Sequence, residues 1–446
     1  MVGLKELVEY SKAIALAALS AFLFVWALTD PELPVLVPFL MFVPILTAIL
    51  SCSILSAISG VLIFSLTLAA TILFGTQNYG YEIYFASVVL VAALHSIPFL
   101  GLIALTRVRF LSGFLHLAMA FSLLYLCFEY LATRQNIVPL GSLASTVVSS
   151  IELARIVYIL GPLWFSPVVL IVSSGIAYSI SRRTISPIVG VMLAGAGLFL
   201  TIALSEPTNL TIQEDRRKTV SVAIIQGSIT KDQYDMADAS YSYVKDEIKR
   251  AYVQLTLMEL NEVDLVVWPE TALHDPIDEQ DFSLLDRRLV ESSSTLIAGH
   301  VIKELDNHGG VKHYNAASSF TAGMTPTSTY RKNNLLPITE SKFTPGIKAS
   351  ALKTEFEKMA VLICFEAIYK SYVEQTIKKD VSMVVVLSND SGFGRSLVSY
   401  YMLKQAMLIA VSQNKHVIRA SQAGVSAFIN PNGSITKNAH TLSESC

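Results

Sequence analysis

The feature that most limits how this chain can fold is the uneven distribution of its charges. From Met1 to about Leu204, apolar runs follow one another with few charged residues between them; after Glu206 polar and apolar residues alternate in the ordinary way. Over the whole chain 15% of residues are charged and 52% hydrophobic. An average soluble domain carries about 25% charged residues. A deficit confined to one half means that this half is solvated by lipid, and the other half by water. The expected organisation is therefore two domains, 1–206 in the membrane and 207–446 outside it.

The first half divides into seven apolar runs: 13–29, 33–50, 54–74, 84–105, 110–131, 156–180 and 185–204. Each has roughly the 17–25 residues that a helix needs to cross the hydrocarbon core. The sixth contains Gly161-Pro162 and Ser166-Pro167, which predict a kink or a break. With the N-terminus inside, the inner loops carry Lys5, Lys12, Arg107, Arg109, Arg182 and Arg183, and the outer loops only Arg134 and Arg155. Excess basic charge inside fixes that orientation. An odd number of spans then places the second half on the outer face. His95 reads as a structural residue facing the bundle, and Glu129 as an interfacial one. Because further apolar runs follow the first, that run does not read as a cleaved signal peptide.

Other classes are excluded briefly. The net charge of −2 gives no global attraction for nucleic acid. Cys52, Cys127, Cys364 and Cys446 have neither the spacing nor the histidine neighbours of a zinc site, nor the pattern of a disulfide framework. Cys52 and Cys127 read as apolar packing residues. No metal or organic cofactor is expected.

The second half alternates strand and helix. Runs rich in β-branched residues predict strands at 220–226, 264–268, 295–298, 359–364, 383–387 and 416–420; helical periodicity covers 243–260, 368–377 and 399–412. Such alternation predicts a layered α/β domain. The charged stretch 214–218 reads as the linker to it.

Three segments can carry chemistry, and strand ends are where sites form in α/β sheets. Asp264 to Trp268 is an apolar strand that runs into Pro269 and then presents Glu270. A carboxylate there is partly desolvated, so its pKa rises toward that of a general base. A capping or ion-paired glutamate would look the same. In Tyr330-Arg331-Lys332 the lysine could stabilise an oxyanion, or simply be solvated. Cys364 ends the strand beginning at Met359 and precedes a helical stretch. A helix N-terminus and a nearby lysine both favour thiolate, although free cysteines are also common apolar core residues.

Taken together and in this order, the segments resemble the nitrilase, or carbon–nitrogen hydrolase, superfamily. Trp268-Pro269-Glu270-Thr271-Ala272 resembles its base motif, and Tyr330-Arg331-Lys332 its Tyr-x-Lys. Pro337-Ile338-Thr339-Glu340 stands for Pro-Phe-Gly-Glu, and Cys364-Phe365-Glu366 for Cys-Tyr-Glu. The run from Leu387 to Gly394 resembles a Ser-Asn-Asp-x-Trp-Phe-Gly loop, with Gly392 in the tryptophan position. Val222 to Gly227 resembles the opening strand, and Arg419 to Ser426 the late strand pair.

A polytopic helical domain ahead of this one makes the whole chain similar to the apolipoprotein N-acyltransferases. That resemblance implies an αββα sandwich following about seven spans. It implies Cys364 as nucleophile, Glu270 as base and Lys332 as oxyanion stabiliser, with Glu340 and Glu366 holding Lys332. Phe365, Asn389, Asp390 and Phe393 would lie in the loops that meet substrate. The partners implied are a phospholipid acyl donor, a diacylated lipoprotein acceptor and the membrane. The place implied is a bacterial inner membrane with the catalytic domain on the periplasmic side. Family members usually continue into one more span, whereas Ser434 to Cys446 is not apolar. The conjugal-transfer-associated (TraB-type) membrane proteins and a membrane-anchored amidase share much of this pattern and stand as alternatives.

Overall fold

The computed structural model describes residues 2–107, 113–134, 142–192, 195 and 220–440, apart from 240, 261, 278–281, 307, 322, 338, 349–350, 356–357, 379 and 395. The chain forms two compact units. One comprises Met1–Thr211 with Ser396–Ser412, the other Ile212–Arg395 with Gln413–Cys446.

The first unit is helical: α1 (Val2–Thr29), α2 (Val37–Leu40), α3 (Val43–Ser51), α4 (Ile54–Ile72), α5 (Tyr81–Leu105), α6 (Phe114–Arg134), α7 (Ile151–Leu160) and α8 (Pro162–Arg182). Among the described residues, five helices are long and apolar enough to cross a membrane: Gly3–Thr29, Ile54–Ile72, Tyr81–Leu105, Phe114–Thr133 and Pro162–Arg182. Proline shapes two of the expected runs. The run 33–50 is divided into two pieces, α2 and α3, each with a proline at its first turn. There the missing N–H costs nothing and the fixed φ suits helix entry. The run 156–180 breaks at Gly161, whose φ of 83° caps α8 while Pro162 begins it. Most of the run 185–204, the stretch 214–218 and Cys446 lie outside the described residues.

Phe24, Phe42, Phe64, Phe99 and Phe121 are fully buried at the centre of the bundle, with Phe24–Phe42 centroids 5.1 Å apart and Phe99–Phe121 5.2 Å apart. Leu62, Leu66, Val89, Leu90, Met119 and Leu123 are exposed, as a lipid-facing surface requires. His95 faces the interior, with the Tyr125 hydroxyl 3.3 Å from its Nε2. Glu129 is also interior rather than interfacial: Ser166 Oγ donates to its Oε2 at 2.5 Å. In hydrocarbon a carboxyl finds its partner inside the bundle. Cys52 is buried, but Cys127 is exposed on α6.

The second unit contains two sheets. The first has the order β1 (Val222–Ile224), β2 (Leu265–Val267), β3 (Thr295–Leu305), β4 (Val311–Phe320), β5 (Ser328–Arg331). The second runs β11 (Ile435–His440), β10 (Val425–Ile429), β9 (His416–Ser421), β8 (Met383–Ser388), β7 (Lys358–Ile363), β6 (Ala351–Lys353). β1–β2–β3 and β7–β8–β9 are parallel; the remaining pairs are antiparallel.

Strand alternation divides the core in two. Leu265, Val267, Ile297, Ala317 and Tyr330 of the first sheet pack on Met359, Val361, Ile363, Val385, Leu387 and Ile418 of the second. Val266, Trp268, Leu296, Ala298 and Phe320 face the opposite way. They meet helices α9 (Lys231–Asp238), α10 (Ser242–Glu259) and α11 (Ser283–Ser292) through residues such as Val244, Ile248, Tyr252, Leu285 and Leu289. Behind the second sheet, α12 (Lys370–Thr376) packs on β7. The layers are those of an αββα sandwich. The helix α13 (Val398–Gln413), which connects β8 to β9, groups with the first unit, where Lys404 Nζ lies 2.5 Å from Ser149 Oγ.

Candidate active site

Four strand ends converge. Glu270 follows β2, Lys332 follows β5, Cys364 follows β7 and Asn389 follows β8. All the site residues belong to the second unit. Glu270, Lys332 and Cys364 are 4%, 1% and 5% exposed, so their charges interact in a site largely free of water.

Lys332 holds the centre. Its Nζ lies 2.9 Å from Glu270 Oε1 and 2.8 Å from Glu340 Oε1. Asn315 of β4 donates Nδ2 to the same two oxygens, at 2.8 and 3.1 Å. The Asn389 N–H donates to Glu270 Oε2, and the Leu336 N–H to Glu340 Oε2, each at 2.8 Å. Lys332 is itself fixed by its N–H on Asn315 O and by the Gly346 N–H on its own carbonyl, both at 2.8 Å.

Electrostatics follow from this packing. Burial pushes Glu270 above the usual carboxylate range; Lys332 pulls it down and Glu340 adds to the rise. Burial opposes the charge on Lys332, but Glu270 and Glu340 outweigh it and hold the ammonium well above its usual value. Cys364 is raised well above a normal thiol, first by burial and then by Glu270, with Lys332 only partly offsetting them. Burial and Glu270 thus favour the thiol at this sulfur, against the thiolate that a helix N-terminus and a lysine favour. The segment after it, Cys364–Ile368, is one short 3₁₀ turn, which supplies little dipole.

Two site residues adopt left-handed backbone: Cys364 at φ 54° and Thr271 at φ 45°. Such strain gathers at functional sites, where surrounding bonds over-determine it. For Cys364 the restraint is Glu366, whose Oε2 accepts the Ile363 N–H at 2.8 Å and the Tyr330 hydroxyl at 2.7 Å. Its Oε1 accepts from the N–H groups of Asn333 and Asn334 at 2.8 and 3.1 Å. Glu366 thus holds the backbone on both sides of the site rather than gripping Lys332, because its four donors already occupy it. For Glu270 the restraint is close packing. A Cβ at Gly299 would stand 2.1 Å from Pro269 O, so only glycine lets β3 support the Glu270 turn.

The other loop residues divide into two groups. Phe365 and Phe393 stand together, centroids 6.0 Å apart. Asn389 binds Glu270, as above, and Asp390 is buried against Arg419 at 2.8 Å. Ile338 lies outside the described residues. Sequence reasoning missed Asn315, which sits in a strand with no apolar pattern, and Tyr234, whose hydroxyl is 3.0 Å from Thr271 Oγ1. For Tyr234 a signal existed: Thr230 and Gln233 form a capping box at the start of its helix.

No group of three His, Cys, Asp or Glu capable of holding a metal occurs among the described residues. A buried thiol beside a carboxylate and a fixed ammonium can supply a nucleophile, a proton acceptor and a cation, the parts that acyl transfer through sulfur would need.

These features define a class: the nitrilase-type αββα sandwich with a buried glutamate, lysine and cysteine, here on a polytopic helical chain. Residues 221–445 match the family model for carbon–nitrogen hydrolases, and the chain belongs to that family. Among curated proteins it is similar to apolipoprotein N-acyltransferase of Wigglesworthia glossinidia brevipalpis, 25% identical over 62% of this chain and 58% of that one. The enzyme of the same name from Haemophilus influenzae is 27% identical over 50% and 46%, and that of Vibrio vulnificus 26% over 80% and 69%. The chain thus spans about half the length of the first two relatives. Among solved structures, Saccharomyces cerevisiae Nit3, a nitrilase superfamily member, aligns with 50% of this chain and 86% of its own at 22% identity and a TM-score of 0.38.

Proposed function

We propose that this protein is an N-acyltransferase that works through a thioester on Cys364. The observation that carries the reading is the buried Glu270–Lys332–Glu340 cluster beside the cysteine, on a chain with lipid-soluble helices. Glu270 takes the thiol proton as sulfur attacks the ester carbonyl of a phospholipid acyl chain. The Lys332 ammonium faces the oxyanion. On collapse the carbon–oxygen bond breaks, and Glu270 returns the proton to the departing lysophospholipid hydroxyl. The α-amine of a diacylglyceryl-cysteine then attacks the thioester and loses a proton to Glu270. An amide forms and the proton returns to Cys364. Both substrates are lipids, which accounts for catalysis by a membrane-spanning chain. The setting we infer is a bacterial inner membrane, with the second unit on the periplasmic side.

The test is to incubate the detergent-solubilised chain with a phospholipid carrying a labelled acyl group. Hydroxylamine-sensitive label should appear on the protein, be absent from Cys364→Ala, and be discharged by a diacylated lipopeptide. A folded wild-type protein that takes up no label rejects the reading.

A further inference from the structure

Beside Cys364 lies a polar chain that the acyl-transfer scheme does not use. Ser388 is the last residue of β8 and is fully buried. Its Oγ is 3.8 Å from Cys364 Sγ and 2.6 Å from Asp390 Oδ1. Asp390 Oδ2 accepts from Arg419 Nη2 at 2.8 Å, with neither side chain exposed. Arg419 also donates to the Val425 carbonyl. Four buried groups are thus linked from the sulfur to a fixed guanidinium.

Proton counting gives this chain a direction. A serine hydroxyl has one proton and two acceptor lone pairs, and arginine only donates. Asp390 Oδ2 is paired with the Arg419 guanidinium, its Oδ1 accepts the Ser388 hydroxyl, and a bond from a hydroxyl to such a carboxylate is about twice as strong as one between neutral groups. The Ser388 proton therefore goes to Asp390. What Ser388 presents to Cys364 is a lone pair. That lone pair can accept an S–H but repels a sulfur anion.

We propose that Ser388, with its proton committed to the Asp390–Arg419 pair, accepts the Cys364 S–H and so positions the nucleophile as a thiol until the base removes its proton. Ser388 is a positioning residue that acts through Cys364. The other charged or titratable groups around the sulfur are Glu270 after β2, Lys332 and Glu340 after β5, Asp390 after β8, and Glu366 and Tyr369 on its own segment. Of these Lys332 alone favours thiolate, and it is already engaged by two carboxylates. The device keeps a buried thiol from ionising without substrate. It rests on the reading of Cys364 as nucleophile.

The experiment measures iodoacetamide alkylation of Cys364 against pH, by peptide mass spectrometry on the full chain in detergent. Ser388→Ala removes the acceptor. Asp390→Asn removes a charge and reverses the bond, since its carbonyl oxygen must face Arg419 and its amide must donate to Ser388, which frees the serine proton for sulfur. Both variants should move the alkylation midpoint to lower pH by about one unit, or about tenfold faster alkylation at a fixed pH below the wild-type midpoint. The Asp390→Asn shift should shrink when combined with Ser388→Ala, because the serine proton is then absent. A folded Ser388→Ala protein with the wild-type midpoint, or a higher one, overturns the relay. That variant deletes one atom and decides the matter if Asp390→Asn does not fold. A Cys364 that no variant allows to be alkylated at any pH up to 10 instead overturns its assignment as nucleophile.

Discussion

Replacing Lys332 by methionine keeps the length of the side chain and removes its charge. Glu270 and Glu340 lose contacts of 2.9 and 2.8 Å. They keep a shared amide donor from Asn315 and one backbone N–H each, from Asn389 and Leu336. Breaking a buried ion pair from one side costs about 3–5 kcal/mol. The penalty applies only while both carboxyls are ionised. Glu270 already lies above the usual range through burial, with Lys332 restraining it; without the lysine it rises further. A carboxyl whose folded pKa is raised contributes stability that is fully present below its unfolded pKa and is lost as pH rises through the folded one. Each unit of rise corresponds to about 1.4 kcal/mol. The variant should therefore unfold well below wild type at pH 8 and recover much of the gap near pH 5. Thermal unfolding of the detergent-solubilised protein across that range is the assay. A variant as stable as wild type at pH 8, or one whose deficit grows on acidification, would refute the account of Lys332 as the charge that holds two buried acids together.

Three further outcomes follow from the same geometry. Gly299→Ala places a methyl 2.1 Å from Pro269 O, so the Glu270 turn must move; a displacement of about 1 Å in a reacting group lowers turnover by about a hundredfold, read as the rate of acyl transfer to a lipopeptide. Tyr330→Phe deprives Glu366 of a 2.7 Å donor and should destabilise the second unit by about 1.5–3 kcal/mol, less at acid pH because burial already raises Glu366 and protonation relieves the loss. Cys364→Gly and Cys364→Ala should both be inactive. With φ at 54°, however, the glycine variant should be the more stable by about 1 kcal/mol, once its larger unfolded-state entropy is set against the left-handed strain.

What the sequence made legible depended on which residues carried a pattern. β2, β7 and β8 are apolar runs, buried along nearly their whole length, and their ends mark Glu270, Cys364 and Asn389 directly. β4 was hard to see because its buried residues include Asn315, Ser318 and Ser319, which bond to Glu270, Thr329 and Ser328 and interrupt the apolar run. Within the bundle, Gly161-Pro162 marked the break before α8, whereas the division of the run 33–50 into α2 and α3, each with a proline in its first turn, was hidden by its continuous hydropathy. A motif gives order along the chain and not direction, so the sequence could not show that the Asp390 carboxylate pairs with Arg419.

Charge balance explains why the acidic pair, the lysine and a neutral thiol belong together. One Lys332 ammonium faces the two carboxyls of Glu270 and Glu340, so this buried trio carries at most a single negative charge. A resting thiolate would make it two, at the cost that burial places on every uncompensated ion. Moving the Cys364 proton to Glu270 avoids this, since the carboxylate is neutralised as the sulfur becomes charged and the total is unchanged. Under the proposed reaction the negative charge then passes to the oxyanion, and Lys332, freed from one carboxylate by that proton, can turn to it. A base with a raised pKa and a nucleophile with a raised pKa are thus two aspects of one design. Each is a poor ion alone, and the pair exchanges a proton without creating net charge.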